Sequence, residues 1–173
     1  MALKEILTEP NNILRQKSLS VDFVDKDIQN LMDDMLETMY AAPGIGLAAI
    51  QIGIPKRIKF MDIDHKEEKN PMYFVNPEII SKSKNNSIYE EGCLSVPGQF
   101  AEIERPDKCI IKYLDYHGVS KTIETTGMLS TCIQHEIDHL DGILFIDYLS
   151  KLKKSMIIKK LSKQKKNIER IVV

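Results

Sequence analysis

At 173 residues, with 43% hydrophobic and 28% charged residues, the chain has the make-up of one globular domain that buries its own core, which excludes a disordered or low-complexity protein. The net charge of −1 conceals an asymmetry, because residues 151–173 carry +8 and the first 150 carry −9. No apolar run approaches membrane-spanning length, the N-terminus reads as neither secretory signal nor transit peptide, and three cysteines (Cys93, Cys109, Cys132) are too few for a disulfide framework, so a cytoplasmic protein with no membrane partner is expected.

Residues 1–26 read as irregular, with turn chemistry at Pro10-Asn11-Asn12. Asp27 to Tyr40 reads as an amphipathic helix, in which Ile28, Leu31, Met32, Met35, Leu36 and Met39 recur at helical spacing and polar residues fill the other face. Ala41-Ala42-Pro43-Gly44 ends it. The next stretch, Gly44 to Gln51, formally contains G-x-G-x-x-A, with Asp62 and Asp64 near the spacing of a ribose-binding acid. A dinucleotide fingerprint must follow a strand and open a long helix. Here a helix precedes it, Gly53-Ile54-Pro55 ends any helix within one or two turns, and no Lys-Ser/Thr makes it a P-loop. No nucleotide cofactor is expected. What remains is a run of small residues that lets another backbone approach closely, with one amide, Gln51, at its end.

Arg57 to Asp62 and Met72 to Ser81 read as strands joined by a charged loop, Asp64 to Lys69, with a bend at Asn76-Pro77. Lys82 to Ser87 is a polar turn, and Glu90 to Gly98 reads as a short strand ending in a loop. Lys108 to Tyr116 and Val119 to Glu124 predict a hairpin around His117-Gly118. His65 and His117 lie in polar loops and read as solvated. A second helix runs from Thr126 to Asp141, with Gly142 as its C-cap. Phe145 to Tyr148 reads as a short strand or turn. From Lys151 a final helix places Leu152, Met156 and Leu161 on one side and lysines around the rest. No repeat or linker divides the chain, so residues 1–150 read as a single catalytic domain and 151–173 as its basic tail.

The second helix carries Gln134-His135-Glu136-Ile137-Asp138-His139. Two histidines four apart share a helix face and can share a metal ion, and the glutamate beside the first can take a proton from an attacking water. A catalytic site needs a third ligand. The extension H-E-x-x-H-x-x-G-x-x-H fails, because Phe145 stands where its last histidine belongs. Cys132 lies seven residues before His139, roughly 10 Å along the axis, and reads as a thiol packing beside the site. Cys93, from a distant segment, would complete a Cys-His-His set with a fourth position for water, whereas structural zinc would want a fourth protein ligand.

Three segments together resemble one family, the peptide deformylases: Gly44-Ile45-Gly46-Leu47-Ala48-Ala49-Ile50-Gln51, Glu91-Gly92-Cys93-Leu94-Ser95 and Gln134-His135-Glu136-Ile137-Asp138-His139. The resemblance implies an α+β fold in which antiparallel β-sheets surround a central metal-binding helix, with an N-terminal helix and a basic C-terminal helix. By matching motif positions it implies Cys93, His135 and His139 as ligands of one divalent metal and Glu136 as general acid/base. The backbone N–H of Leu94 and the amide of Gln51 would bond the formyl oxygen. Ile45, Gly46, Glu91 and Cys132 fall on the substrate side, and Glu91 is expected to pair with Arg105 beneath the cysteine loop. Phe100 and Thr131 fall where family members vary. The implied activity is removal of the formyl group from the N-terminal formyl-methionine of nascent polypeptides, with release of formate. Fe(II) is the favoured ion, with Zn(II) or another divalent metal as substitute. The implied partners are formylated nascent peptides and, through the basic tail, the ribosome; the expected unit is a monomer. A short H-E-x-x-H metallopeptidase and a zinc-stabilised binding module are the alternatives.

Overall fold

The structure, a computed structural model, describes residues 3–42, 44–63 and 69–171, with side chains described as far as residue 167. The charged-loop prediction, with His65, falls largely on residues 64–68 and lies outside them.

The methionine-rich stripe makes helix α1, Lys26–Ala41, whose N-cap Asp25 accepts from the Ile28 N–H and whose Ile28, Met32, Met35 and Met39 are buried. They pack on Leu47, Ile58, Phe60 and Val75 from the main sheet. That sheet has five antiparallel strands in the order β1 (Gly46–Ala48), β2 (Ile58–Met61), β3 (Met72–Lys82), β6 (Lys108–Leu114) and β7 (Ser120–Thr126). The bend foreseen at Asn76-Pro77 is a β-bulge, with Asn76 at φ 50° and its side-chain amide exchanging two hydrogen bonds with the Val21 backbone.

Strands β4 (Asn86–Cys93) and β5 (Val96–Pro106) form a separate hairpin. Here the structure departs from the sequence reading. The stretch from Glu90 to Gly98 is the tip of a long hairpin, not a short strand and loop. Two inward-facing residues explain the miss: β5 buries Ile103 and also Arg105, so a charged residue sits where alternation calls for an apolar one.

Helix α2, Gly127–Leu140, runs between the two sheets and is buried over most of its surface. It ends against Gly142, at φ +75°, where a Cβ would lie 2.5 Å from the Arg15 carbonyl oxygen. Only glycine fits there. The segment Phe145–Tyr148 is a 3-10 turn, and helix α3, Lys151–Ile171, comes after it. Its inward stripe is Ile157, Ile158 and Leu161, which pack with Val96, Ile103, Leu144, Phe145 and Ile146. Leu152 and Met156, predicted on the same side as Leu161, are instead 72% and 62% exposed, because the packed stripe lies further round the helix. Among the described residues no helix is long and apolar enough to cross a membrane.

Candidate active site

Helix α2 presents His135 and His139 on one face because residues four apart are one turn from each other. The β4–β5 hairpin brings Cys93 to them at its tip, where the strand register shifts between Gly92 and Cys93. One donor atom from each of Cys93, His135 and His139 lies within 4.8 Å of the others, and Cys93 Sγ is 3.1 Å from His139 Nε2. A thiolate and two imidazoles at that spacing suit a single borderline or soft divalent cation. The donors fit in orientation too. His135 Nδ1 is 2.7 Å from Glu91 Oε2, which engages that nitrogen and leaves the other free for the cleft.

Glu91 is in turn clamped by Arg105, whose Nε and Nη2 donate to its two oxygens at 2.5 and 3.0 Å. The pair expected beneath the cysteine loop is therefore present and buried. Burial opposes the Glu91 charge, but the Arg105 and His135 hydrogen bonds outweigh it and hold its carboxyl below the usual range. Arg105 Nη1 also donates to Asp138, 2.7 Å away and one turn along from His135, and Tyr148 donates to the same carboxylate at 2.8 Å. The hairpin is thus tied to the histidine-bearing helix at two points. The sequence reading missed Asp138, although its i+3 spacing from His135 was a signal.

The cleft above these residues has a volume of about 500 Å³. Nine of the ten site residues read from the sequence line it: Ile45, Gly46, Gln51, Glu91, Cys93, Leu94, Cys132, His135 and Glu136. The tenth, His139, is fully buried behind Cys93. Gln51 is well aimed. Its Oε1 accepts from the Ala48 N–H at 2.8 Å, so its NH₂ points toward Cys93 Sγ and Ser95 Oγ, at 3.5 and 3.0 Å. Leu94 comes directly after Cys93 and packs its side chain against Gly44. Strand β1 is an edge of its sheet, and its side away from β2 is open at Gly46. A Cβ on Gly46 would lie 2.7 Å from Glu136 Oε1, so the small residue admits the carboxylate.

Glu136 Oε2 is buried without a hydrogen-bond partner among the described residues. Burial raises its pKa against the opposing charges of His135 and Lys59. A buried carboxyl oxygen without a partner, raised in pKa at a cleft floor, marks a candidate functional group. Burial lowers the His135 pKa, but Cys93 and Glu91 more than reverse this and bring it up to about 10, whereas burial and neighbouring cations push His139 well below its usual range. A cation held by both would compete with the His135 proton. Cys132 stands apart from the three donors, half-buried in the cleft wall. Its thiol is pushed up to about 12 by burial, then by Glu136 and Glu91, and stays neutral.

Sequence reasoning missed Lys59 entirely. Its side chain is fully buried in β2, donates to the Ile133 carbonyl of α2 at 3.0 Å and lies over the Phe74 ring. Burial lowers its pKa to about 7, with Glu136 the strongest of the groups opposing that shift. A lysine in an alternating strand reads as solvent-facing, so only the packing of α2 over the sheet reveals it.

The family model described as polypeptide deformylase matches residues 3–155. The chain belongs to the polypeptide deformylase family. With that membership it is a hydrolase, and the metallopeptidase and binding-module readings fall away. A peptide deformylase of Pelagibacter ubique is 66% identical over 174 residues, covering 100% of both chains. One from Phenylobacterium zucineum is 55% identical, over 96% of this chain and 99% of its own. The crystal structure of a peptide deformylase from Ehrlichia chaffeensis in complex with actinonin superimposes with a TM-score of 0.91 at 43% identity, covering 95% of this chain and 98% of that one. The α+β fold and the family expectation therefore stand together.

Proposed function

We propose that the chain removes the formyl group from N-terminal formyl-methionine of nascent polypeptides in the cytoplasm, using one divalent cation held by Cys93, His135 and His139. The observation that carries this reading is the convergence of those three donors with an unpartnered Glu136 carboxyl oxygen and the aimed Gln51 amide in one cleft. When bound, the cation supplies Lewis acidity, polarising the formyl oxygen and making water a competent nucleophile at neutral pH.

The chain's own residues do the rest. Glu136 accepts a proton from the attacking water and passes it to the departing amine, as the formyl carbon gains an oxygen and its bond to nitrogen breaks. Its buried setting, which raises its pKa, suits a group that must both take and give a proton. The Gln51 amide and the Leu94 N–H donate to the formyl oxygen as negative charge builds there, and one such donor is worth about 2.7–4 kcal/mol in other enzymes. The open side of β1 at Ile45 and Gly46 pairs with the extended peptide. Cys132 and Glu91 line the wall beside the methionine, where both Glu91 oxygens are already engaged by Arg105 and His135. Every one of these groups comes from one chain, so the proposed working unit is the monomer.

Formate release from a formyl-Met tripeptide, run beside the unformylated peptide under anaerobic Fe(II), tests the reading. Formate is expected from the first alone, and its absence would overturn the activity. Fe(II) is the proposed working ion because a thiolate with two imidazoles suits iron as well as zinc. Activity that tracks zinc content per chain, and not iron, would reverse that choice.

The basic tail is proposed to dock on ribosomal RNA phosphate. Its exposed lysines on α3 support a contact that is electrostatic and weakened by salt. Changing Lys159, Lys163 and Lys166 to glutamine is expected to abolish low-salt co-sedimentation with ribosomes. Unchanged co-sedimentation would leave those lysines as a solvated face.

A further inference from the structure

The active-site cleft does not stop at Phe100. This residue, 66% exposed on β5, lines the cleft on one side and a second concavity of about 660 Å³ on the other. The second groove lies between the outer side of β5 and helix α3, and Gln99, Glu102, Lys153, Met156 and Lys160 form much of its wall. Three observations make it more than a surface dent. Its apolar part is continuous with the cleft through the Phe100 ring, and Met156 adds a side chain 62% exposed with nothing packed over it among the described residues. Lys153, Met156 and Lys160 stand at i, i+3 and i+7, so they share one face of α3 and frame the groove with two exposed ammonium groups against one carboxylate, Glu102. Finally, among the described residues β5 pairs with β4 alone, so its outer edge carries backbone groups that no other described strand takes up.

We propose that this groove is a distal subsite for the same peptide substrate, receiving residues downstream of those held in the cleft and favouring acidic and apolar side chains there. The proposal rests on the formyl-peptide reading above. The lysines stand seven residues apart, roughly 10 Å along the helix, and an extended chain covers that in about three residues. A peptide leaving the cleft past Phe100 would meet Met156 with its apolar side chains and the lysines with its carboxylates. Because the lysines are exposed, the attraction is modest and screened by salt. It acts on capture of the peptide and not on the chemistry at Glu136, so it belongs in KM and not in kcat.

The test compares a formyl-Met tripeptide with two formyl-Met decapeptides identical over their first three residues, one acidic and one basic beyond them. In the metal-loaded protein the acidic decapeptide is expected to have a KM about three- to tenfold below the basic one at low salt, with equal kcat. Lys153→Glu with Lys160→Glu should erase or invert that ratio and leave turnover of the tripeptide unchanged. Met156→Ser should raise KM for a decapeptide with a leucine among its distal residues and spare the tripeptide. Equal KM values for the two decapeptides, or a preference that survives the double lysine change, would overturn the subsite. A double change that alters only ribosome co-sedimentation would also overturn it and assign the lysines to RNA. Failure of all three peptides to release formate would instead strike the activity itself.

Discussion

Glu136→Ala is expected to keep its metal and its fold yet lose about 10²- to 10⁴-fold in kcat, the range that a positioned general acid–base supplies. The carboxylate is not one of the three clustered donors, and one of its oxygens has no partner to lose among the described residues. Glu136→Gln preserves the shape against Gly46 and should fall nearly as far, since an amide cannot accept the proton. Formate release measured with elemental analysis on the same samples decides it. Turnover within tenfold of the parent, or loss of the metal, would remove Glu136 from the proposed role.

Cys93→Ala is expected to produce the opposite pattern, with metal and activity vanishing together. Two imidazoles from one helix remain, but the thiolate that closes the set and its negative charge are gone. The loss of affinity should exceed the roughly 10- to 100-fold that removing a partner outside the ligand set costs. Cys132→Ala serves as the comparison. Its neutral, half-buried thiol should cost packing alone, leaving metal content unchanged. Metal retained at parental levels after the Cys93 change would require a different third ligand.

The site was more legible than the scaffold that holds it. The two histidines and Glu136 sit on one helix, so their mutual geometry comes from helical periodicity alone. Cys93 comes from a strand some forty residues away, and it entered through ligand chemistry and the resemblance of three motifs. Lys59 was beyond reach, and Arg105 entered only as the expected partner of Glu91, without its tie to Asp138, for a shared reason. Each is a cation facing inward from a strand, and its partners, Glu91 and Asp138 for one and the Ile133 carbonyl for the other, lie far off in sequence. Alternation reads such residues as solvent-facing, so β5 lost its strand signal and Lys59 its interest. The final helix failed more gently. Its existence was plain, but two apolar stripes compete on it, and only contact with Phe145 and Ile103 selects Ile157, Ile158 and Leu161 over Leu152 and Met156.

That choice of stripe binds the two ends of the chain into one structure. Arg15, near the beginning, pairs with Glu9 and with Asp147, and Asp147 is gripped from α3 by Lys154. Gly142 closes against the Arg15 carbonyl, while Leu161 seals the cluster under the cysteine-bearing hairpin. Translation delivers these pieces in order, from first to last. Until residue 161 has been added, Val96 and Ile103 rest on Leu144, Phe145 and Ile146 without the cover of Leu161. The cluster beneath the cysteine-bearing hairpin is therefore completed only once the hairpin, Phe145 and the turn of α3 that carries Leu161 have all been made.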